Sequence, residues 1–254
     1  MENKINPIAA IKTGWSLTKE HFIVSLGIVL GFMAISTLLS MIPVEGILGF
    51  VLQLVSWAIS CVWTLGIIYI SINAVDGEEP QFSMFGEVMP RFLSMLALML
   101  LLVAIVMVPI VLIVILAVVL GFNVDAISGL ASSDPNVMLE AMQSLGFLYL
   151  LIMIPCVYIG IRFFFAPYLL IDRGMGAIDS LKASWIATAP IQGKLFVYMI
   201  LSMLVTLLGL LCLVVGVFVA TIVLLYAQAA LYRQAFPTGM QDPLIAEDVN
   251  IAVN

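Results

Sequence analysis

The sequence predicts an all-α, polytopic membrane protein of six transmembrane helices, and three observations carry that prediction. Of its 254 residues, 64% are hydrophobic and only 9% are charged, against about 25% charged in soluble domains. The apolar residues gather in runs of the length that a bilayer core of about 30 Å requires, roughly 20 helical residues each. All nine Lys and Arg residues fall on one side of those runs. Lys4, Lys12 and Lys19 precede the first run; Arg91, Arg162, Arg173, Lys182 and Lys194 lie in or beside the even-numbered connections; Arg233 follows the last. The odd-numbered connections hold Glu45, Asp125, Asp134 and Glu140 and no base. Loops rich in Lys and Arg stay cytoplasmic, so both termini are expected in the cytoplasm.

The elements follow in order. A long polar lead precedes Phe22, and the apolar run 22–42 exceeds a secretory core of about 7–15 residues. It reads as an uncleaved first span, 23–42. Pro43-Val44-Glu45-Gly46 makes a tight outer turn. Span 2, 47–72, ends at the polar segment 73–80. Span 3, 92–120, holds Pro109, which removes a backbone donor and kinks the helix. Residues 121–144 form the one substantial outer loop, in which Asp134-Pro135 reads as an N-cap followed by proline at the first helical position. Span 4, 145–162, contains Pro155. The run 195–232 would be about 57 Å long as one helix, nearly twice the hydrocarbon core, and both its flanks, Lys194 and Arg233, are basic. It is therefore expected to fold back on itself between Gly209 and Gly216. These spans make one six-helix membrane domain, 1–236, and the polar, acidic tail 237–254 is expected to be mobile.

A short amphipathic segment precedes each odd-numbered span. The segments carry Ile8, Ile11 and Trp15; Phe82, Phe85 and Met89; and Ile178, Leu181 and Trp185. Each set has the i, i+3, i+7 spacing of one apolar helix face. The first and third align further, with Ala10-Ile11-Lys12-Thr13-Gly14-Trp15 over Ser180-Leu181-Lys182-Ala183-Ser184-Trp185 and Thr18 over Thr188. Turns recur at Val75-Asp76-Gly77 and Ile171-Asp172-Arg173-Gly174. Three repeats of interfacial helix plus transmembrane hairpin, 5–75, 76–173 and 174–236, account for this pattern. Trp15, Trp185 and Arg162 are its expected interfacial anchors. Arg162 is expected to snorkel, or to pair with Asp172 or a lipid phosphate.

The run Phe163-Phe164-Phe165-Ala166-Pro167-Tyr168-Leu169-Leu170-Ile171-Asp172, continued by Gly176-Ala177-Ile178-Asp179-Ser180-Leu181-Lys182-Ala183-Ser184-Trp185, resembles a core pattern of YciC-like bacterial inner-membrane proteins. It is also similar to the membrane domain attached to some glycerophosphodiester phosphodiesterases. The closing Tyr232-Arg233 fits the same pattern. The resemblance implies a membrane bundle and carries no enzymatic activity across, because no phosphodiesterase domain is present in this sequence.

Candidate chemistry is sparse. His21 is the sole histidine and sits where the first amphipathic segment meets span 1, an interfacial place. No Ser/His/Asp grouping, metal-site motif or phosphate loop occurs, so neither catalysis nor a cofactor or metal is expected. Cys61, Cys156 and Cys212 match no zinc spacing and read as packing residues. The span centres carry no ionisable side chain, which argues against ion coupling. Small residues at Gly27-x-x-x-Gly31 and Ser56-x-x-x-Ser60 are candidates for helix packing. With a formal charge of −6 and no basic cluster, nucleic acid is excluded as a partner. The expected partners are membrane lipids and other membrane proteins, and the expected role is non-enzymatic. A small permease or lipid-handling transporter without ion coupling is the second reading.

Overall fold

The computed structural model describes residues 5–42, 46–119 and 134–238, apart from the side chains of 117, 140–145, 147–149, 213 and 214. Among the described residues every regular element is helical. α1 spans Pro7–Glu20, α2 Phe22–Ser40, α3 Gly46–Val75 and α4 Met84–Glu87; a 3₁₀ turn, Met89–Arg91, leads into α5, Phe92–Val119. α6 spans Pro135–Arg162, α7 Ala166–Arg173, α8 Ala177–Thr188, α9 Gln192–Leu211 and α10 Leu213–Ala235. Six stretches among the described residues are long and apolar enough to cross a membrane.

The chain divides into two compact units, 1–98 with 163–254, and 99–162. The second holds most of α5, continuous through Pro109, and all of α6, continuous through Pro155. α6 starts at the expected N-cap and runs unbroken into the span placed at 145–162. Asp134 accepts the Asn136 N–H at 2.9 Å through Oδ1 and Pro135 follows at the first position, so the helix begins here and absorbs residues 135–144, placed above in the outer loop. A side-chain cap and a fixed φ nucleate the first turn before the apolar run begins. The rest of that loop, residues 120–133, lies outside the described residues, as do the turn residues 43–45 and the tail from 239.

In the first unit α10 is the hub: α1, α9, α3 and α2 all pack on it. The expected hairpin forms, with α9 and α10 joined at Cys212, between Gly209 and Gly216. A Cβ on Gly209 would stand 2.7 Å from the Gly216 carbonyl oxygen and 2.7 Å from Ala220 Cβ. The tight return therefore depends on two bare backbones. Only His21 separates α1 from α2, so the chain turns from one helix into the next within a single residue of φ −111°. α1 opens with Pro7 behind Asn6, whose side chain accepts the Ala9 N–H at 3.1 Å.

In the first and third lead-in helices a row of small residues is buried and the tryptophan is exposed. In α1 the buried row is Ala10, Gly14 and Thr18, while Ile8 and Trp15 are exposed, Trp15 by 50%. In α8 the residues aligned with that row, Ser180, Ser184 and Thr188, are buried, and Ile178 and Trp185 are exposed, Trp185 by 40%. The small residues face the protein because the neighbouring backbone comes close: a Cβ on Gly14 would collide with the Val223 carbonyl and the Ala227 amide of α10. Buried hydroxyls in such rows cost free energy unless bonded. Thr18 Oγ1 donates to the Gly14 carbonyl at 2.7 Å, and Thr188 Oγ1 donates to the Ser184 carbonyl at 2.7 Å.

Candidate functional site

The densest polar chemistry lies where the closing ends of α3, α7 and α10 meet. Each end is built by its own sequence. α3 runs out at Asp76-Gly77, where Gly77 has φ +94°. α7 ends at Asp172-Arg173-Gly174, with Gly174 in the left-handed region at φ +67°. Glycine reverses the chain there at little steric cost, which presents the preceding aspartate at the helix end. α10 contributes Tyr232, Arg233 and Gln234 from its last turn.

Arg233 joins the other two ends. Its Nη1 donates to Asp172 Oδ2 at 2.8 Å and its Nη2 to Asp172 Oδ1 at 2.9 Å, a two-pronged contact. Its Nε donates to Asp76 Oδ1 at 2.9 Å, and Nη2 also reaches Asp76 Oδ2 at 2.5 Å. A guanidinium fork with five N–H donors can serve two carboxylates at once, which the point charge of a lysine cannot. Asp172 is further held by the Tyr232 hydroxyl, which donates at 2.6 Å, and by an ion pair with Arg173 Nε at 3.2 Å. Two carboxylates and two guanidiniums cancel, so the cluster brings no net charge to the end of an apolar bundle. Charges withdrawn from water are tolerated when paired in this way. Arg173 Nη2 also donates to the Pro237 carbonyl at 3.1 Å, and the Asn6 N–H donates to Gln234 Oε1 at 2.7 Å. Asn6, just ahead of α1, and Pro237, just past α10, are thereby held beside the cluster.

Aromatic rings form the floor beneath the charges. Tyr168 and Tyr232 stack at 5.2 Å, and Phe165 meets Phe236 edge-on at 5.6 Å. Tyr168 donates through its hydroxyl to Gln228 at 3.2 Å, and the Ser184 hydroxyl accepts the Phe165 N–H at 3.3 Å. Deeper in the unit, Ser25 and Tyr226 share a hydrogen bond of 2.6 Å between α2 and α10.

The residues singled out from the sequence are distributed differently. Asp172 is in the cluster. Arg162 closes α6 and is buried, with 5% exposure, rather than extended into solvent. The guanidinium that grips Asp172 in two prongs is Arg233, which the sequence marked as the basic flank of the last run and as part of a closing Tyr-Arg pair. Gly27 and Gly31 are not points of close approach: a Cβ on either would meet nothing within 4 Å. The close approaches are Gly14, Gly66, whose Cβ would run into the Phe85 ring, and the Gly209–Gly216 pair. Ser56 and Ser60 line an open cleft between α2 and α3.

The cluster is suited to holding helices together. Its carboxylates are committed to guanidiniums, and among the described residues no three His, Cys, Asp or Glu side chains converge as a metal ion requires. No family model matches the chain, and comparison with curated proteins and with solved structures finds no match.

Proposed function

We propose that this chain is a non-enzymatic inner-membrane protein that works through contacts with lipid and with other membrane proteins, its two termini and its ion-paired cluster on the cytoplasmic side. The carrying observation is the orientation of α1 and α8. Each buries its row of small residues and turns an Ile and a Trp outward. Outward tryptophans on helices beside spans suit the headgroup region. The same matched rows support three repeats of interfacial helix and hairpin, as does the recurrence of Asp76 and Asp172 at the ends of α3 and α7. The aromatic stretch 163–172 supports the kinship with YciC-like proteins by resemblance alone.

Three measurements test this reading. Reporter fusions after Gly77 and after Arg233 should read cytoplasmic, and one within 123–135 periplasmic; a periplasmic C-terminal fusion would overturn the orientation. Trp15 and Trp185 should emit blue-shifted fluorescence in lipid and resist aqueous quenchers. Gradient-driven solute uptake by purified protein in sealed proteoliposomes would overturn the non-transporting role in favour of a small permease, a reading supported by Pro109 and Pro155 within the helices of the second unit.

A further inference from the structure

We infer that the cleft between α2 and α3 is a binding site for a phospholipid whose headgroup carries a primary ammonium; this rests on the lipid-contact reading above and names the lipid. The two helices touch firmly at one level, where Phe32 and Trp63 stack at 4.4 Å with planes 13° apart. Towards the α2–α3 turn lies a cavity of roughly 420 Å³ whose polar lining is Ser36, Ser40, Gln53, Ser56 and Ser60. Adjoining it, and sharing Ile59, is a second cavity of roughly 620 Å³ with an apolar lining that includes Ile28, Gly31, Phe32, Val55, Trp63 and Phe85. Each volume falls in the roughly 300–1,000 Å³ range of small-molecule sites. From Ser40 to Ile28 the cleft follows α2 for about 18 Å at 1.5 Å per residue, close to half of a hydrocarbon core of about 30 Å. A polar mouth at a helix end and an apolar channel one leaflet deep match a phospholipid's own division.

The serines narrow the headgroup. Ser40 Oγ donates to the Thr37 carbonyl at 2.8 Å, Ser56 Oγ to the Leu52 carbonyl at 2.9 Å, and Ser60 Oγ to the Ser56 carbonyl at 3.0 Å. A hydroxyl has one proton and two lone pairs. With the proton given to the backbone, each oxygen faces the cleft as an acceptor. Gln53 adds an amide, whose oxygen accepts and whose NH2 donates, and Ser36 a fourth hydroxyl. No Lys or Arg lines either cavity, so the mouth holds no cation for a phosphate. A lining in which acceptors outnumber donors favours a donor-rich group, and a primary ammonium brings three N–H groups. A trimethylated choline headgroup of the same charge brings none.

The test uses Trp63 as reporter, in full-length protein with Trp15, Trp57 and Trp185 changed to Phe. The protein is placed in phosphatidylcholine nanodiscs containing, as a minor component, either phosphatidylethanolamine or phosphatidylcholine with brominated acyl chains. Brominated phosphatidylethanolamine should quench Trp63 with a preference of about five- to tenfold in effective concentration, as about two hydrogen bonds in a membrane supply. The triple variant Gln53→Leu, Ser56→Val, Ser60→Val should erase the preference and leave chain quenching. Gly31→Leu, whose Cβ has open space around it, should reduce quenching by both lipids. Equal quenching by the two lipids in the unmodified cleft overturns the site while leaving the broader lipid-contact reading intact. That broader reading is tested separately, by the Trp15 and Trp185 fluorescence and by the flux measurement.

Discussion

α10 and α5 are the two spans that differ most, and the difference runs against the usual relation between hydrophobicity and burial. The stretch Met89–Leu116 has a mean hydropathy of 3.4 and buries 6% of its most apolar window; Val215–Ala235 has a mean hydropathy of 2.0 and buries 50%. In water the more apolar helix would take the interior. In a bilayer the acyl chains solvate Leu, Ile and Val as well as a protein core does, so hydrophobicity no longer selects what is inside. Close packing and hydrogen bonds select instead. α10 supplies both, with Gly216, Ala220, Ala227 and Ala230 admitting neighbours and Tyr226, Tyr232 and Arg233 bonding to them. α5 is chiefly Leu, Val, Ile and Met, and faces outward along most of its length.

Substitutions in the two helices should therefore have unequal effects. The largest is expected for Arg233→Gln, which leaves Asp76 and Asp172 facing each other without their shared guanidinium. A loss of about 2–3 kcal/mol, below the range for fully buried pairs because the site is partly open, should appear in equilibrium unfolding in bicelles. Adding Asp76→Asn and Asp172→Asn should recover part of it. Failure to recover would mean that Arg233 stabilises by packing on Tyr232 rather than by charge pairing.

Next comes the seam on which α10 receives α1. Gly14→Val drives a side chain into the Val223 carbonyl and should cost about 1–3 kcal/mol, whereas Gly31→Val, in open space, should leave the unfolding midpoint unchanged. Equal behaviour of the two would remove the argument for close approach. Tyr226→Phe keeps the ring and loses the bond to Ser25, an effect of about 0.6 kcal/mol by the average for membrane hydrogen bonds. At the lower end, Val108→Ala and Leu112→Ala in α5 should each stay within about 0.5 kcal/mol. A cost of several times that would mean the outward face of α5 is covered in the membrane by another protein.

The orientation of α1 and α8 shows where sequence reading stopped. Their period was legible, because Ile8, Ile11 and Trp15 and their counterparts recur at helical spacing. What was not legible was the close approach of the neighbouring backbone that makes the inward row small. The aligned rows Ala10, Gly14, Thr18 and Ser180, Ser184, Thr188 were visible as a match before their burial gave the match a reason. Arg233 was in view as a flank of the last span. Its role depended on Asp76 and Asp172, which lie 157 and 61 residues away along the chain.

Taken alone, the sequence determined six apolar spans and the return of the last run on itself near Gly209–Gly216. These are consequences of length and transfer free energy, which each segment carries by itself. The tertiary structure decided which helix became the hub, which glycines admit a neighbour, that Arg233 grips Asp172, and that Ser56 and Ser60 line a cleft. Those outcomes depend on distances between segments far apart in the chain. Hydropathy is blind to them, because lipid and protein interiors are nearly equal solvents for an apolar side chain.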